Sequence, residues 1–135
     1  MATCQQTIQS KIDSNQINTI TEVVPNTLMP LVISISQKQL FLLNITQQET
    51  VGFTINLVSS LSPTNIGVTV TIFQLIGNTI WLLGSVLVTE MVLSFQKDFP
   101  IGTYILCIGS SAVSYTGTLR GDFSGYQLYS KLSPI

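Results

Sequence analysis

From Leu28 onward, apolar residues recur at every second position in runs that are separated by turn-forming residues. The clearest runs place apolar side chains at Val51, Phe53, Ile55 and Leu57, at Val68, Val70 and Ile72, at Met91, Leu93 and Phe95, and at Val113, Tyr115 and Leu119. Successive side chains of a strand point to opposite faces, so each run predicts a strand with one buried face. The pattern therefore predicts an all-β fold.

Turn signals lie between these runs. They include Ser62-Pro63-Thr64-Asn65, Gly77-Asn78 and the stretch from Asp98 to Gly102. The runs and turns together predict seven to nine short strands, which is typical of a β-sandwich of jelly-roll or immunoglobulin-like kind. We assign residues 26–135 to this sandwich domain.

Residues 1–25 differ in composition from the rest of the chain. They are polar, with isolated apolar positions at Ile8, Ile12, Ile17 and Ile20. Ile8 and Ile12 are four residues apart, a spacing that fits one or two helical turns. We predict an N-terminal arm that is held in place either by a neighbouring subunit or by folding back onto its own domain.

The two cysteines, Cys4 and Cys107, are too few for a disulfide framework. Cys107 lies in an apolar run, and we expect it to be a small buried hydrophobic residue. A bridge between the two is an alternative, but nothing in the sequence sets the distance between them.

The segment Phe99-Pro-Ile-Gly-Thr-Tyr-Ile-Leu-Cys-Ile-Gly109, followed by Tyr115-Thr-Gly-Thr-Leu119, is the strongest local motif. It resembles the closing hairpin of the bacterial pre-peptidase C-terminal domain family and of related jelly-roll sandwiches. The resemblance covers residues 90–119, and residues 40–76 by strand pattern alone. It implies a jelly-roll topology. Some family members bind calcium through clustered acidic residues near the domain start, and because this chain has no such cluster we expect no metal and no cofactor.

The chain contains few groups that could catalyse a reaction. It has no histidine and only 8% charged residues, and its six acidic residues are widely spaced: Asp13, Glu22, Glu49, Glu90, Asp98 and Asp122. Histidine is the most common acid–base catalyst. Glycoside cleavage needs two carboxyl groups at a set separation, and neither Asp98 with Asp122 nor Glu49 with Glu90 is placed so by the sequence. We predict a protein without enzymatic activity and without catalytic residues.

The charge distribution limits the partners. The net charge is −1, and the five basic residues are scattered as Lys11, Lys38, Lys97, Arg120 and Lys131. A nucleic-acid partner is not expected without a basic stripe. The longest nearly apolar run, from Ile80 to Val88, is about half the ~20 residues of a membrane-spanning helix. The first twenty residues show no secretory signal pattern.

Two short motifs have ordinary structural explanations. Asn44-Ile45-Thr46 fits an N-glycosylation acceptor, but it lies within a predicted strand, and we expect an ordinary strand asparagine. Arg120-Gly121-Asp122 resembles an integrin ligand, which must be displayed on an exposed loop. We expect instead that Gly121 forms a bulge or turn and that the two charges are solvated.

The aromatic residues suggest a carbohydrate-binding alternative. Trp81 could stack on sugar rings together with Tyr104, Tyr115, Tyr126 and Tyr129. Tyr115 belongs to the apolar side of its strand, however, and aromatic packing in the core is the better-supported interpretation.

The sequence thus favours a structural protein of a large assembly. More specifically, we expect a phage or virus capsid decoration (cement) protein or a tail component that docks by its β-sheet surface and its N-terminal arm. The expected partners are further copies of the chain, as a dimer or trimer, and another structural protein such as a capsid or tail subunit. The expected location is a virion or an extracellular surface. The alternative is a carbohydrate- or surface-binding module.

Overall fold

The computed structural model describes residues 2–59 and 65–125. Helix α1 spans Cys4–Asp13, and a short 3-10 helix spans Ile17–Thr19. The described residues then form nine strands: β1 Thr21–Glu22, β2 Leu28–Ile33, β3 Gln39–Ile45, β4 Glu49–Val58, β5 Val68–Ile76, β6 Thr79–Val88, β7 Val92–Phe99, β8 Gly102–Ser110 and β9 Tyr115–Phe123.

The strands form two sheets with a nested pairing pattern. One sheet has the order β1-β3-β8-β5-β6 and the other has the order β2-β9-β4-β7. Strand β5 pairs with β6, β4 with β7, β3 with β8 and β2 with β9, all antiparallel. This is a long hairpin wrapped into two sheets, which is the jelly-roll arrangement. The predicted all-β sandwich is confirmed, and of the two kinds considered the topology is that of a jelly roll.

The core lies between the two sheets, where the alternating pattern placed it. Val51, Phe53 and Ile55 of β4 are buried, and so are the inward residues of β5. Phe99 packs edge-on against both Phe53, with ring centroids 6.2 Å apart, and Tyr104, at 4.8 Å. The period-two pattern therefore identified the buried face of β4 and β5.

The predicted turn at Gly77-Asn78 is confirmed as the connection between β5 and β6. Gly77 has a φ of 61°, a backbone conformation that side chains disfavour and glycine permits. Of the turn expected at residues 62–65, only Asn65 lies within the described residues.

The N-terminal arm folds back onto its own domain, the second of the two alternatives considered. Thr3 and Gln6 form a reciprocal capping box that starts α1. Ile8 of this helix is fully buried, in a second apolar cluster with Phe73 and Ile105 on the outer face of the five-stranded sheet. The helix therefore covers the middle of that face.

Cys107 is buried, as expected. It forms a disulfide with Cys4, however, so the expectation that it is unpaired is wrong. Cys107 points to the outer face of β8, and α1 brings Cys4 above it with a Cα–Cα distance of 5.9 Å, within the usual range for a bridge. The bridge joins residues 103 positions apart in sequence. It was not evident from the sequence because only the docking of α1 onto the sheet brings the two residues together.

Candidate interaction surface

Strand β6 lies at one edge of the five-stranded sheet, with β5 as its neighbour in that sheet. The opposite edge is formed by the two-residue strand β1, whereas β6 is ten residues long. Edge strands carry backbone groups without a ladder partner on one side, so proteins usually protect them with charges, proline, bulges or short length. No charged residue lies in β5 or β6.

Five large apolar side chains of the β5–β6 hairpin are exposed. They are Ile76, Trp81, Leu82, Leu83 and Leu87, and we call this group the β6 surface. Trp81 is 57% exposed and Leu82 is 66% exposed. Single exposed apolar residues are common, but five on one uncharged hairpin are typical of an interaction site. Trp81 pairs with Gln74, so it lies on the opposite face of the sheet from Leu82, which pairs with Phe73.

A β-bulge in β6 determines where these side chains point. Ile72 pairs with Gly84, whereas the next residue, Phe73, pairs with Leu82, so Leu83 has no counterpart on β5. Residues that pair directly across two strands share a face of the sheet. Phe73 packs in the cluster beneath α1, so Leu82 projects from the same outer face, beside the helix and not under it.

Leu87 projects from that outer face as well. It pairs with Thr69, which lies two residues before Thr71, and Thr71 pairs with Cys107, the residue bridged to α1. The helix thus covers the centre of the outer face and leaves its β6 margin open.

The outer face of the four-stranded sheet is polar and charged at its centre, although Leu28, Val32, Val58 and Val92 are also exposed on this face. Gly52 lies between Gln96 on β7 and Asp122 on β9, and no atom lies within 4 Å of the position a Cβ would take there. The space above Gly52 is a shallow, open depression bordered also by Thr54 and Ser94. Nothing in it concentrates charge or encloses a ligand.

The acidic residues do not converge on one site, and most of them are bonded to protein neighbours. Glu49, which is buried at the start of β4, accepts a hydrogen bond from the backbone N–H of Gly125 at 2.8 Å. Asp98 accepts a hydrogen bond from the hydroxyl of Thr50, the residue opposite it on β4. Glu90 lies exposed between β6 and β7. Within residues 2–59 and 65–125, no group of three or more histidine, cysteine or acidic residues could hold a metal ion.

The Arg120-Gly121-Asp122 motif lies inside β9, the strand between β2 and β4, and not on a loop. Arg120 and Asp122 form an ion pair at 2.7 Å on the outer face. Gly121 forms no bulge or turn, contrary to expectation. A Cβ there would lie 3.2 Å from the side chain of Val23, so a larger residue would fit only if Val23 shifted by a few tenths of an ångström.

Asn44 lies in β3, as expected of a strand asparagine. Its amide group donates a hydrogen bond to the carboxylate of Glu22, and its oxygen accepts one from the hydroxyl of Thr103 at 3.2 Å. These contacts explain the residue without a sugar attachment.

The tyrosines of the carbohydrate alternative do not form a stacking platform. Tyr104 and Tyr115 are buried, and their hydroxyls donate hydrogen bonds to the carbonyl oxygens of Pro100 and Ile66, respectively. Burial raises the pKa of both phenols above the ordinary value. Tyr126 and Tyr129 lie outside the described residues. Trp81 is thus the one exposed ring among the described members of that set.

No helix in the described ranges is both long enough and apolar enough to cross a lipid bilayer. The nearly apolar run from Ile80 to Val88 lies within β6. Its nearly apolar character, interrupted at Gly84 and Ser85 and with adjacent leucines at 82 and 83, was the sequence signal for an exposed surface. Alone it could not be distinguished from a strand buried on both faces.

Comparison with known proteins identifies the fold. No protein-family model matches the chain, and no curated protein sequence matches it. Among solved structures, the chain is similar to the pre-peptidase C-terminal domain of the collagenase from Bacillus anthracis, with a TM-score of 0.57 and 12% sequence identity. The match covers 76% of this chain and 94% of that domain. The resemblance inferred from the Phe99–Gly109 motif is therefore confirmed at the level of the fold.

Proposed function

We propose that this chain is a non-catalytic structural subunit of a larger assembly and that it docks through the β6 surface. The observation that carries the proposal is the uncharged β5–β6 hairpin at the edge of its sheet, which exposes five large apolar side chains. Covering such a surface removes apolar area from water at roughly 25 cal/mol per Å². We favour a virion as the assembly, with this chain as a decoration or tail protein. In a virion shell, neighbouring subunits would cover a neutral, weakly charged surface of this kind.

Two further features support a role without catalysis. The chain has no histidine. Glu49, Asp98 and Asp122 are engaged by Gly125, Thr50 and Arg120, respectively. A carboxylate that is already bonded to its neighbours on a flat sheet is poorly suited to proton transfer to a substrate.

The arm has a different part in this proposal from the one expected. Because α1 is bridged to β8 and buries Ile8, we propose that it fixes the limit of the docking surface and does not clasp a neighbour. The sheet surface alone then makes the contact.

The test is sedimentation of the chain in an extract of the source that produces it naturally. Wild type is compared with Leu82→Glu, which places a charge on the β6 surface, and with Val32→Glu as the matched control. Val32 is 69% exposed, close to the 66% of Leu82, but it lies on the four-stranded sheet.

We expect wild type and Val32→Glu to sediment at many times the 14.7 kDa chain mass, and Leu82→Glu to leave that fraction. The proposal is wrong if wild type sediments alone or if Leu82→Glu stays in the heavy fraction. Equal unfolding midpoints of the three proteins would exclude a folding defect as the cause.

A further inference from the structure

We propose that the cleft between α1 and the start of β3 binds a tetrahedral oxyanion, phosphate or sulfate. This cleft lies near the β1 edge of the five-stranded sheet, whereas the β6 surface lies at the opposite edge. The proposal therefore does not depend on the assembly function.

Polar groups dominate the walls of the cleft. Its volume is about 390 Å³, within the roughly 300–1,000 Å³ of small-molecule sites. Lys11 of α1 and Lys38, which precedes β3, both line it. Hydroxyl and amide side chains accompany them: Thr7, Thr19, Thr21, Ser36, Gln37 and Gln39. None of the described carboxylates lines the cleft.

Neither lysine of the cleft has a carboxylate partner among the described residues, whereas Arg120 has one in Asp122. The Lys11 ammonium makes a long hydrogen bond, 3.4 Å, to the hydroxyl of Thr19. Both lysines are half-buried, although lysine side chains are mostly exposed in proteins. Two positive charges that face one cleft without a counter-ion repel each other, and a bound anion would replace this repulsion with attraction.

The acidic residues nearest in sequence are engaged elsewhere. Asp13 lies two residues beyond Lys11, and residues two apart do not share a helix face. Asp13 accepts a hydrogen bond from the exposed side chain of Gln9 at 2.9 Å. Glu22 of β1 accepts a hydrogen bond from Asn44. The charge of the cleft is therefore that of its two lysines.

The fold places both lysines toward the cleft before a ligand binds. Thr7 and Lys11 are four residues apart, so one face of α1 presents a hydroxyl and an ammonium group. The stem of Lys38 lies against Gly109 of β8, with its Cγ 3.3 Å from the position that a Cβ of Gly109 would take. Contact of the stem with the sheet restricts the lysine, and this restriction reduces the entropy that binding would cost.

The donors of the cleft fit a tetrahedral oxyanion. An ammonium group donates up to three hydrogen bonds and accepts none, and lysine commonly binds phosphate as a point charge. Phosphate and sulfate have oxygens that point in several directions, so one ion can accept from Lys11 on the helix and from Lys38 on the sheet side. A carboxylate has two oxygens in one plane and is less suited to donors on two separate elements.

The experiment is titration of the isotope-labelled, oxidised full chain, followed by the NMR signals of its backbone amides. The probes are inorganic phosphate, inorganic sulfate and glycerol phosphate, with glycerol and chloride as controls at one ionic strength. We expect the three oxyanions to cause saturable shifts at residues 19–21 and 36–40, and the two controls to cause none.

Three substitutions remove one positive charge each. Lys11→Gln and Lys38→Gln should weaken oxyanion binding at least about tenfold, since each removes a charge-assisted hydrogen bond. Lys97→Gln is the matched control, because Lys97 lies on β7 of the other sheet. It should change the Kd by less than about twofold, because salt screens a distant surface charge.

Two results overturn the inference: no saturable binding of any oxyanion to wild type, or equal weakening by Lys97→Gln and the two cleft variants. Tighter binding of glycerol phosphate than of inorganic phosphate would identify a phosphate group carried on a polyhydroxylated molecule, and equal binding would identify the free ion. Neither failure bears on the β6 surface, which the Leu82→Glu comparison tests separately.

Discussion

A Cβ atom at Gly117 would lie 2.0 Å from the carbonyl oxygen of Asn56 on the neighbouring strand. Gly117 has a φ of 153° and lies in β9, opposite Leu57 of β4. The two backbones approach so closely at this point that no other residue fits without moving one of them.

We therefore expect Gly117→Ala to lower the free energy of unfolding by about 3 kcal/mol or more, from backbone strain and the clash with β4. The measurement is urea unfolding followed by circular dichroism. Gly52→Ala is the matched control, because no atom lies within 4 Å of its Cβ position, and it should change stability by less than about 1 kcal/mol. Equal effects of the two substitutions would refute this account of β9.

The disulfide should contribute strongly to stability because it closes a long loop. In the chain-entropy model, a bridge between residues about 100 positions apart contributes up to about 4.7 kcal/mol, and measured values are commonly about 2–4 kcal/mol. We expect a thiol reductant to lower the unfolding midpoint of wild type and to leave Cys4→Ser unchanged. A reductant effect on Cys4→Ser as large as that on wild type would show that the bridge is not the cause.

Removal of residues 1–25 should damage the fold itself. The deletion takes away Cys4 and Ile8 and also Val23, which is buried in the main core. It also uncovers Phe73 and Ile105 on the outer face. We expect the truncated chain to bind a hydrophobic dye and to unfold at lower denaturant than wild type.

A milder variant tests the same point. Ile8→Ala should cost about 2–5 kcal/mol, as is typical of a fully buried isoleucine, whereas Gln9→Ala on the exposed side of the helix should be nearly neutral. If the truncated chain matches wild type in stability, the docking of α1 is energetically unimportant.

Stability should fall in alkaline solution because of the buried phenols. The pKa of Tyr115 is raised in the folded state, so the folded chain holds this proton more tightly than the unfolded chain. The stabilisation is complete below the unfolded pKa of about 10 and is lost as the pH rises through the folded value. Denaturant midpoints measured from neutral pH to above pH 10 should decline less steeply in Tyr115→Phe. An identical decline would exclude Tyr115 as the source.

Much of the fold could be predicted because local pattern determines which face of a strand is buried. Val51, Phe53 and Ile55 followed strict alternation, and they are buried as expected. In β5 the adjacent residues Ile72 and Phe73 lie on opposite faces, as alternation requires, and both are buried because α1 packs over the outer face at Phe73. Alternation alone cannot show that a helix covers the outer face.

Features that depend on distant contacts could not be predicted. The bridge from Cys4 to Cys107 requires α1 to dock on β8, and Gly121 is a packing residue only because Val23 lies against it. Predicting that Leu82 is exposed would have required knowing that β6 is the edge strand of its sheet and that α1 does not extend over it. Each depends on tertiary arrangement, for which a single sequence carries little signal.

The nested strand pairs also imply an order of folding. The β5–β6 hairpin is joined by the two-residue Gly77-Asn78 turn, whereas β2 must find β9 with Leu28 opposite Arg120. Short loops close at lower entropic cost, so we expect the hairpin to form first and the outermost pair late. The stretch from Ile80 to Val88 is then one of the earliest ordered segments and is exposed before the sandwich encloses its inner face. During synthesis, this hairpin is the point at which nascent chains would first associate, and folding yield should depend most strongly on concentration there.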